Sequence, residues 1–289
     1  MSRTRQSLWS FQSCRLAVIL GTNEIASAVA VSLIRAGYAT VMSHDPYPPV
    51  IRRGMAFHDA LYDDFIQLSG IVGRRAENLL EIAAVTALKK SVAVTPLTLT
   101  DLLALRMADV LVDARMQKLR ITPDFRGLAR ITVGLGPKFG VGENCDIAVE
   151  TRPVHAGDVV ARGATEEADG MSRPLGGVGR ERFVYTERAG VWRTPVDIGM
   201  WTPKGFVVGR HEGTPVLAPI DGYVRGVARD SAYVPAGVKL LEIDPRSRSE
   251  GFKDADDRCR IIAAATLKAV KLEAARREAP ASASASVGR

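Results

Sequence analysis

The sequence is poor in cysteine, histidine and aromatic side chains, and each shortage removes a class of function. Its 289 residues contain three cysteines, Cys14, Cys145 and Cys259, too few and too scattered for a disulfide framework or a zinc site with paired ligands. The four histidines, His44, His58, His155 and His211, stand singly, without HxxxH or HxxE spacing, so a protein-ligated structural metal is not expected. Aromatics amount to 6% of residues, which argues against a binder that stacks bases on rings. No apolar run approaches the roughly 20 residues of a membrane span. Residues 1–13 also lack the apolar core of a secretory signal, so the expectation is a cytoplasmic chain with no membrane span.

What is present has ordinary proportions. Hydrophobic residues make up 46% and charged residues 25%, the balance of a folded chain rather than a disordered one. Thirty-nine Lys and Arg against 32 Asp and Glu give a formal charge of +7. The cations are mostly arginine and are spread along the chain, with no groove-reading element beside them, so nucleic acid is not the expected partner. A basic pocket for a phosphorylated or anionic ligand is the sharper reading of that charge; a solvated arginine-rich surface is the plainer one.

The first half alternates strand and helix signals. Arg15–Leu20 is a continuous apolar run closed by Gly21, as in a strand buried on both faces. Ile25–Ala36 has helical spacing and stops at Gly37, and Tyr38–Met42 is β-prone again. Residues 55–62 and 75–89 read as helices, Ser91–Thr95 as a strand, Leu99–Met107 as a helix, and Val110–Val112 and Arg130–Val133 as strands. This alternation predicts a Rossmann-like α/β domain over residues 14–150.

Beyond residue 150 helical periodicity disappears, and short β-prone pieces alternate with Gly, Pro and Asp. An internal repeat lies within this region: Gly190 and Gly205 are 15 residues apart, as are Gly222 and Gly237. The stretch from Pro215 to Gly237 resembles a barrel-sandwich hybrid of the biotinyl/lipoyl type. Those carrier domains display a lysine on a hairpin in a Met-Lys-Met or Asp-Lys-Ala context. Lys204 and Lys239 stand instead at a glycine turn and in a strand, so an unmodified β domain is expected over 151–247. A C-terminal helix is expected within 248–278, with a flexible N-terminus over 1–13 and a disordered Ala/Ser tail over 279–289.

The turn Gly21-Thr22-Asn23-Glu24-Ile25-Ala26 resembles a dinucleotide fingerprint with its second glycine replaced by Asn23. Gly21 supplies the tight turn and Ala26 the close helix–strand packing, while Asp45, 24 residues after Gly21, sits where a ribose-binding acid would. Arg52-Arg53 follows that loop and is either a solvated surface pair or a phosphate grip. Gly134–Gly142, with Gly136 and Lys138 inside it, follows a strand and is either a structural turn or a nest of amides for an anion. It lacks the Gly-Lys-Ser/Thr ending of a P-loop. Cys145, just beyond, reads most simply as a buried thiol. No nucleophile–base pair emerges from these spacings, so a non-catalytic role is favoured over an enzymatic one.

Taken in series, these residues resemble the bacterial YqeB-like accessory family of selenium-dependent molybdenum hydroxylases, loosely related to the XdhC/CoxI maturation factors of xanthine dehydrogenase and carbon monoxide dehydrogenase. The matching positions run from Gly21–Ala26, where the family commonly reads GAGDIA, through Arg52-Arg53, Phe57, Val112-Asp113-Ala114 with Lys118, and Gly134–Pro137. They continue through Val149-Glu150-Thr151 with His155, Ala218–Gly222 with Arg225-Gly226, and Ile243–Arg246. Two departures touch the crevice: Thr22-Asn23-Glu24 stands for the family's Ala-Gly-Asp, and Lys138 for a small residue. The resemblance implies an accessory protein that matures or protects the molybdenum cofactor (molybdopterin) for a client molybdenum hydroxylase, whose subunits would be its partners, with a homo-oligomer possible. On that reading Gly21, Asn23, Glu24, Ala26, Asp45 and Asp113 line the ligand crevice. Arg52, Arg53, Gly134, Gly136 and Lys138 would meet its phosphate. An NAD(P)-binding oxidoreductase and a non-catalytic scaffolding subunit of a redox or one-carbon enzyme complex are the alternatives.

Overall fold

The computed structural model describes residues 14–104, 107–118, 120–168, 170, 172–247 and 252–278. The stretches expected to be flexible or disordered, 1–13 and 279–289, lie outside the described residues.

One large sheet organises the first part. Its strands are β1 (Leu16–Leu20), β2 (Ala39–Ser43), β3 (Ile66–Leu68), β4 (Ile71–Arg75), β5 (Ser91–Thr95), β6 (Ala108–Asp113), β7 (Ala129–Leu135), β8 (Ile147–Val149) and β9 (Val159–Val160). They lie in the order β3-β4-β5-β2-β1-β6-β7-β8-β9. Every pairing from β4 across to β8 is parallel, and β3 and β9 close the two edges antiparallel. β1 is buried along its whole length because both faces are covered. Ala17 and Ile19 join one core cluster and Leu16, Val18 and Leu20 the other, the period of two that a strand imposes.

The helices are α1 (Glu24–Arg35), α2 (Leu79–Thr86), α3 (Leu99–Leu102) and α4 (Asp257–Glu278). α1 and α4 pack together on one face, where Ile262, Ala269 and Val270 sink into the same cluster as Val29 and Leu33. α2 and α3 bring Ile82, Val85 and Leu102 to the other. The final helix thus completes the core that the first strand begins. Among the described residues, no helix is long and apolar enough to cross a membrane.

Several local expectations shift. Residues 55–62 form two 3-10 turns, Arg53–Met55 and Phe57–Leu61, rather than an α-helix. Every residue of the second turn is buried, and Phe57 lies so close over Gly73 that a Cβ there would sit 2.6 Å from its ring, so tertiary packing sets the backbone. The β3–β4 hairpin, unmarked in the sequence reading, turns through Ser69 and Gly70, both at positive φ as a two-residue primed turn requires. Pulling residues 71–75 into β4 leaves only Leu79–Thr86 for α2, which Asn78 caps by accepting from Glu81 N at 3.0 Å.

The second part is antiparallel. Its strands are β10 (Phe183–Tyr185), β11 (Gly190–Arg193), β12 (Trp201–Thr202), β13 (Val207–His211), β14 (Thr214–Leu217), β15 (Gly222–Val227), β16 (Tyr233–Val234) and β17 (Lys239–Asp244). They form two sheets, β10-β17-β15-β12 and β14-β13-β11-β16. The glycine repeat is visible in the pairing: each copy lends its short strand to the other copy's sheet, so β11 pairs with β16 and β15 with β12. Between the sheets Trp192 is fully buried, donates its indole N–H to Ala228 O at 3.2 Å, and lies against Gly209.

Candidate functional site

In parallel sheets the crevice outside the carboxyl ends of the strands is where ligands collect. Here that edge delivers Asn23 and Glu24 after β1, Tyr47 and Pro48 after β2, and Met116 and Lys118 after β6. Pro137 follows β7, and Glu150 and Thr151 follow β8. The antiparallel part faces this edge through β10 and β17, and a cleft separates the two. It has two chambers of about 590 and 420 Å³ that share Arg52, Met116, Lys118, Phe183, Lys239 and Arg258. The larger is ringed by arginines and acidic side chains, while the smaller is walled by Tyr47, Pro48, Val50, Tyr185 and Val238.

Glu242 of β17 is the electrostatic centre. Its carboxylate is fully buried and accepts from Arg52 Nε at 2.7 Å, Arg52 Nη2 at 3.1 Å and Arg182 Nε at 3.2 Å, with Arg225 Nε at 3.8 Å. Burial alone would raise its pKa, but the guanidinium groups, Arg52 foremost, outweigh that and hold it at about 2. Two residues on, Asp244 accepts from Arg246 Nε at 3.0 Å and faces Arg225 Nη1 at 3.6 Å. Arg52 also reaches Glu24 at 3.2 Å, so one side chain ties the loop after β2 to the start of α1 and to β17. Arg258 of α4 donates Nη2 to Thr151 O at 2.7 Å, whereas its buried Nε has no hydrogen-bond partner among the described residues.

Of the residues singled out from the sequence, Asn23, Glu24 and Arg52 line this cleft. Asn23 caps α1: Oδ1 accepts from Ile25 N and Ala26 N, each at 3.0 Å, and Nδ2 donates to Ala114 O at 2.7 Å. The amides that a pyrophosphate would take at a helix N-terminus are therefore already satisfied. Asn23→Ala is expected to destabilise the protein by about 1–2 kcal/mol, measured by urea denaturation, since it removes the cap and strands a carbonyl. Gly21 takes φ +105° against Ala114, where a Cβ would lie 3.1 Å from the carbonyl oxygen, and Ala26 is fully buried beneath the turn.

The other predicted residues serve the protein itself. Asp45 accepts from Gln117 Nε2 at 2.8 Å and Arg115 Nη1 at 3.4 Å, and Asp113 binds Arg115 through both oxygens at 3.0 and 2.7 Å. Arg53 donates to Asp59 and Asp197, each at 2.7 Å, and to Val227 O at 3.1 Å, which makes it a strut to the antiparallel part. In the loop 134–142 several backbone amides already have protein acceptors. Gly134 is inside β7, under the Phe139 ring. The amides of Phe139, Gly140, Val141 and Gly142 donate to Thr165, Asn144, Gly163 and Cys145. Gly136 faces Met116 at φ +100°, and Lys138 is exposed. Cys145 is buried, and burial pushes its thiol up to about 12, an inert group.

The sequence reading missed two groupings. His44 and His58, 14 positions apart, meet across Thr22, whose hydroxyl lies 3.3 and 3.0 Å from their Nδ1 atoms. Burial, then His44 and the Arg53 and Arg229 charges, lower the His58 pKa to about 3, so it is neutral at ordinary pH. Lys239, Arg182, Glu242 and Arg258 line the cleft, though no local motif marks them as site residues. The available signal is Glu242 and Asp244 at alternate positions of the buried strand KLLEID: charges on a core strand imply buried partners.

Fold and site together define a mixed α/β protein with an arginine-rich cleft between a large mixed sheet and two antiparallel sheets. By sequence, the chain is similar to the uncharacterized protein YqeB of Escherichia coli strain K12, with 32% identity over 265 residues, 89% of this chain and 48% of that protein. The chain spans about half the length of this curated relative. No protein-family model matches the chain. Solved structures include the product-bound ectoine utilization protein EutE (DoeB) of Ruegeria pomeroyi, at 14% identity and TM-score 0.24, covering 80% of this chain and 85% of that one. An aspartoacylase family protein of Mesorhizobium loti matches at 11% identity and TM-score 0.24, covering 81% and 87%. At such scores neither carries an argument about this chain.

Proposed function

We propose that the chain is an accessory protein that holds a phosphorylated pterin, the molybdenum cofactor, in the cleft on behalf of a client molybdenum hydroxylase. The observation that carries the reading is the cationic lining shared by both chambers, above all the buried Arg258 Nε that has no acceptor among the described residues. An arginine nitrogen left without an acceptor beside Lys118 and Lys239 suits a phosphate, which brings several acceptor oxygens and negative charge. The ring-walled chamber of Tyr47, Pro48 and Tyr185 suits a flat heterocycle. The bound cofactor would contribute its redox chemistry only after delivery to the client. The residues of this chain orient it, neutralise its phosphate and exclude water.

A pyridine nucleotide is less well supported, because Asn23 already occupies the α1 amides and Asp45 is held by Arg115 and Gln117. The test is to purify the full chain from a molybdopterin-competent host and measure the fluorescent oxidised pterin that accompanies it. Pterin should copurify, and Arg258→Ala should weaken retention about tenfold to a hundredfold, the value of one charged hydrogen bond. A chain that carries no pterin and captures no molybdenum hydroxylase subunit removes the proposal.

A further inference from the structure

Lys239 opens β17 at the point where the two chambers meet and lines both. Its ammonium lies 3.8 Å from the centroid of the Phe183 ring, and among the described residues it has neither a hydrogen bond nor an ion pair. The nearest carboxylate on its own strand, Glu242, is engaged by Arg52 and Arg182. An unpaired, half-buried lysine facing a cavity differs from the exposed Lys204 and Lys268, which are solvated.

We propose that Lys239 is a covalent capture residue, whose amine condenses with the carbonyl of a small phosphorylated aldehyde seated in the cleft. In the step, the neutral amine adds to the carbonyl carbon, forming a C–N bond, and the resulting carbinolamine loses its oxygen as water. A C=N double bond remains, and the imine nitrogen takes up a proton from solvent. No oxidant or reductant is needed, and hydrolysis reverses the step.

Three features of the site favour this chemistry. Burial, then the charges of Arg52 and Lys118, push the Lys239 ammonium down to about 8, Glu242 opposing them only in part, so a sizeable neutral fraction exists near neutral pH. The same cations and Arg258 would draw an anionic aldehyde in and hold its phosphate. The Phe183 ring keeps the ammonium on the cavity side, where a carbonyl can reach it. Affinity for the phosphate rests on the reading of the cleft given above; the reactivity of the amine does not.

The experiment treats the full chain with pyridoxal 5′-phosphate, or with pyridoxal lacking the phosphate, reduces with borohydride and maps the modified peptides by mass spectrometry. Lys239 should carry the label before the exposed lysines, and about tenfold more readily with the phosphorylated probe. Lys239→Arg, which preserves charge, should lose that label while the circular dichroism spectrum is unchanged. Equal labelling of Lys239 by both probes would uphold the nucleophile and overturn the phosphate reading of the cleft. Label spread over Lys204, Lys268 and other exposed lysines outside the cleft, with Lys239 untouched in the folded wild type, would overturn the capture role itself.

Discussion

Glu242→Gln is expected to lower the unfolding free energy by about 3–5 kcal/mol, the usual effect of removing one member of a buried ion cluster. The amide is nearly isosteric, so no cavity forms; what changes is charge. Arg52, Arg182 and Arg225 would face a neutral side chain, with Arg52 and Arg225 keeping Glu24, Asp244 and Asp256 as their acidic partners among the described residues. The guanidinium groups cannot escape by deprotonation, so the loss is felt in full. The pH dependence has a definite sign. Because Glu242 is held at about 2 when folded, below the ordinary 4.5, its contribution is fully present above pH 4.5 and fades as pH falls towards 2. Urea midpoints measured across that window should therefore decline less steeply in the variant. Parallel curves for variant and wild type would show that the carboxylate stabilises nothing.

Trp192→Ala should be comparably severe, about 3–5 kcal/mol, because a fully buried indole leaves a cavity that the surrounding strands cannot close. Two contacts make collapse difficult. Gly209 approaches the ring so closely that a Cβ there would lie 2.4 Å from Cη2, and Ala228 O loses its indole donor. The damage should centre on the antiparallel part, since Trp192 belongs to the cluster of Val208, Val224, Val234 and Leu240. Hydrogen exchange should find those strands deprotected while β1 and β6 keep their protection, a contrast that uniform exchange throughout the chain would refute.

The large sheet was readable because its strands are apolar on both faces and its turns carry glycine. The Ser91–Thr95 run coincides with β5, and Arg15–Leu20 and Tyr38–Met42 differ from β1 and β2 by one residue at their ends. The 15-residue glycine interval reappears as the reciprocal exchange of strands between the two antiparallel sheets. Residues 55–62 misled because periodicity cannot report that a segment is buried on every side. The site was less legible still. Arg53 and Asp45 stand where ligand-binding residues would, but their partners, Asp197 and Gln117, come from distant loops that no local pattern connects to them. Lys239 and Glu242 share one strand, and only the fold places them opposite the carboxyl ends of β1 and β6.

The docking of α4 has a consequence for synthesis. Cys259, Ile262 and Val270 fill the same cluster as Ala17 and Ile19, yet the whole antiparallel region lies between them in the chain. A nascent polypeptide emerging from the ribosome therefore leaves one flank of α1 and the adjoining face of β7 and β8 bare until α4 is released. The antiparallel region can gather around Trp192 while translation is still under way, but the surface that α4 covers must wait. During that interval the chain depends on its surroundings, chaperones included, to keep an uncovered apolar sheet from finding another like itself.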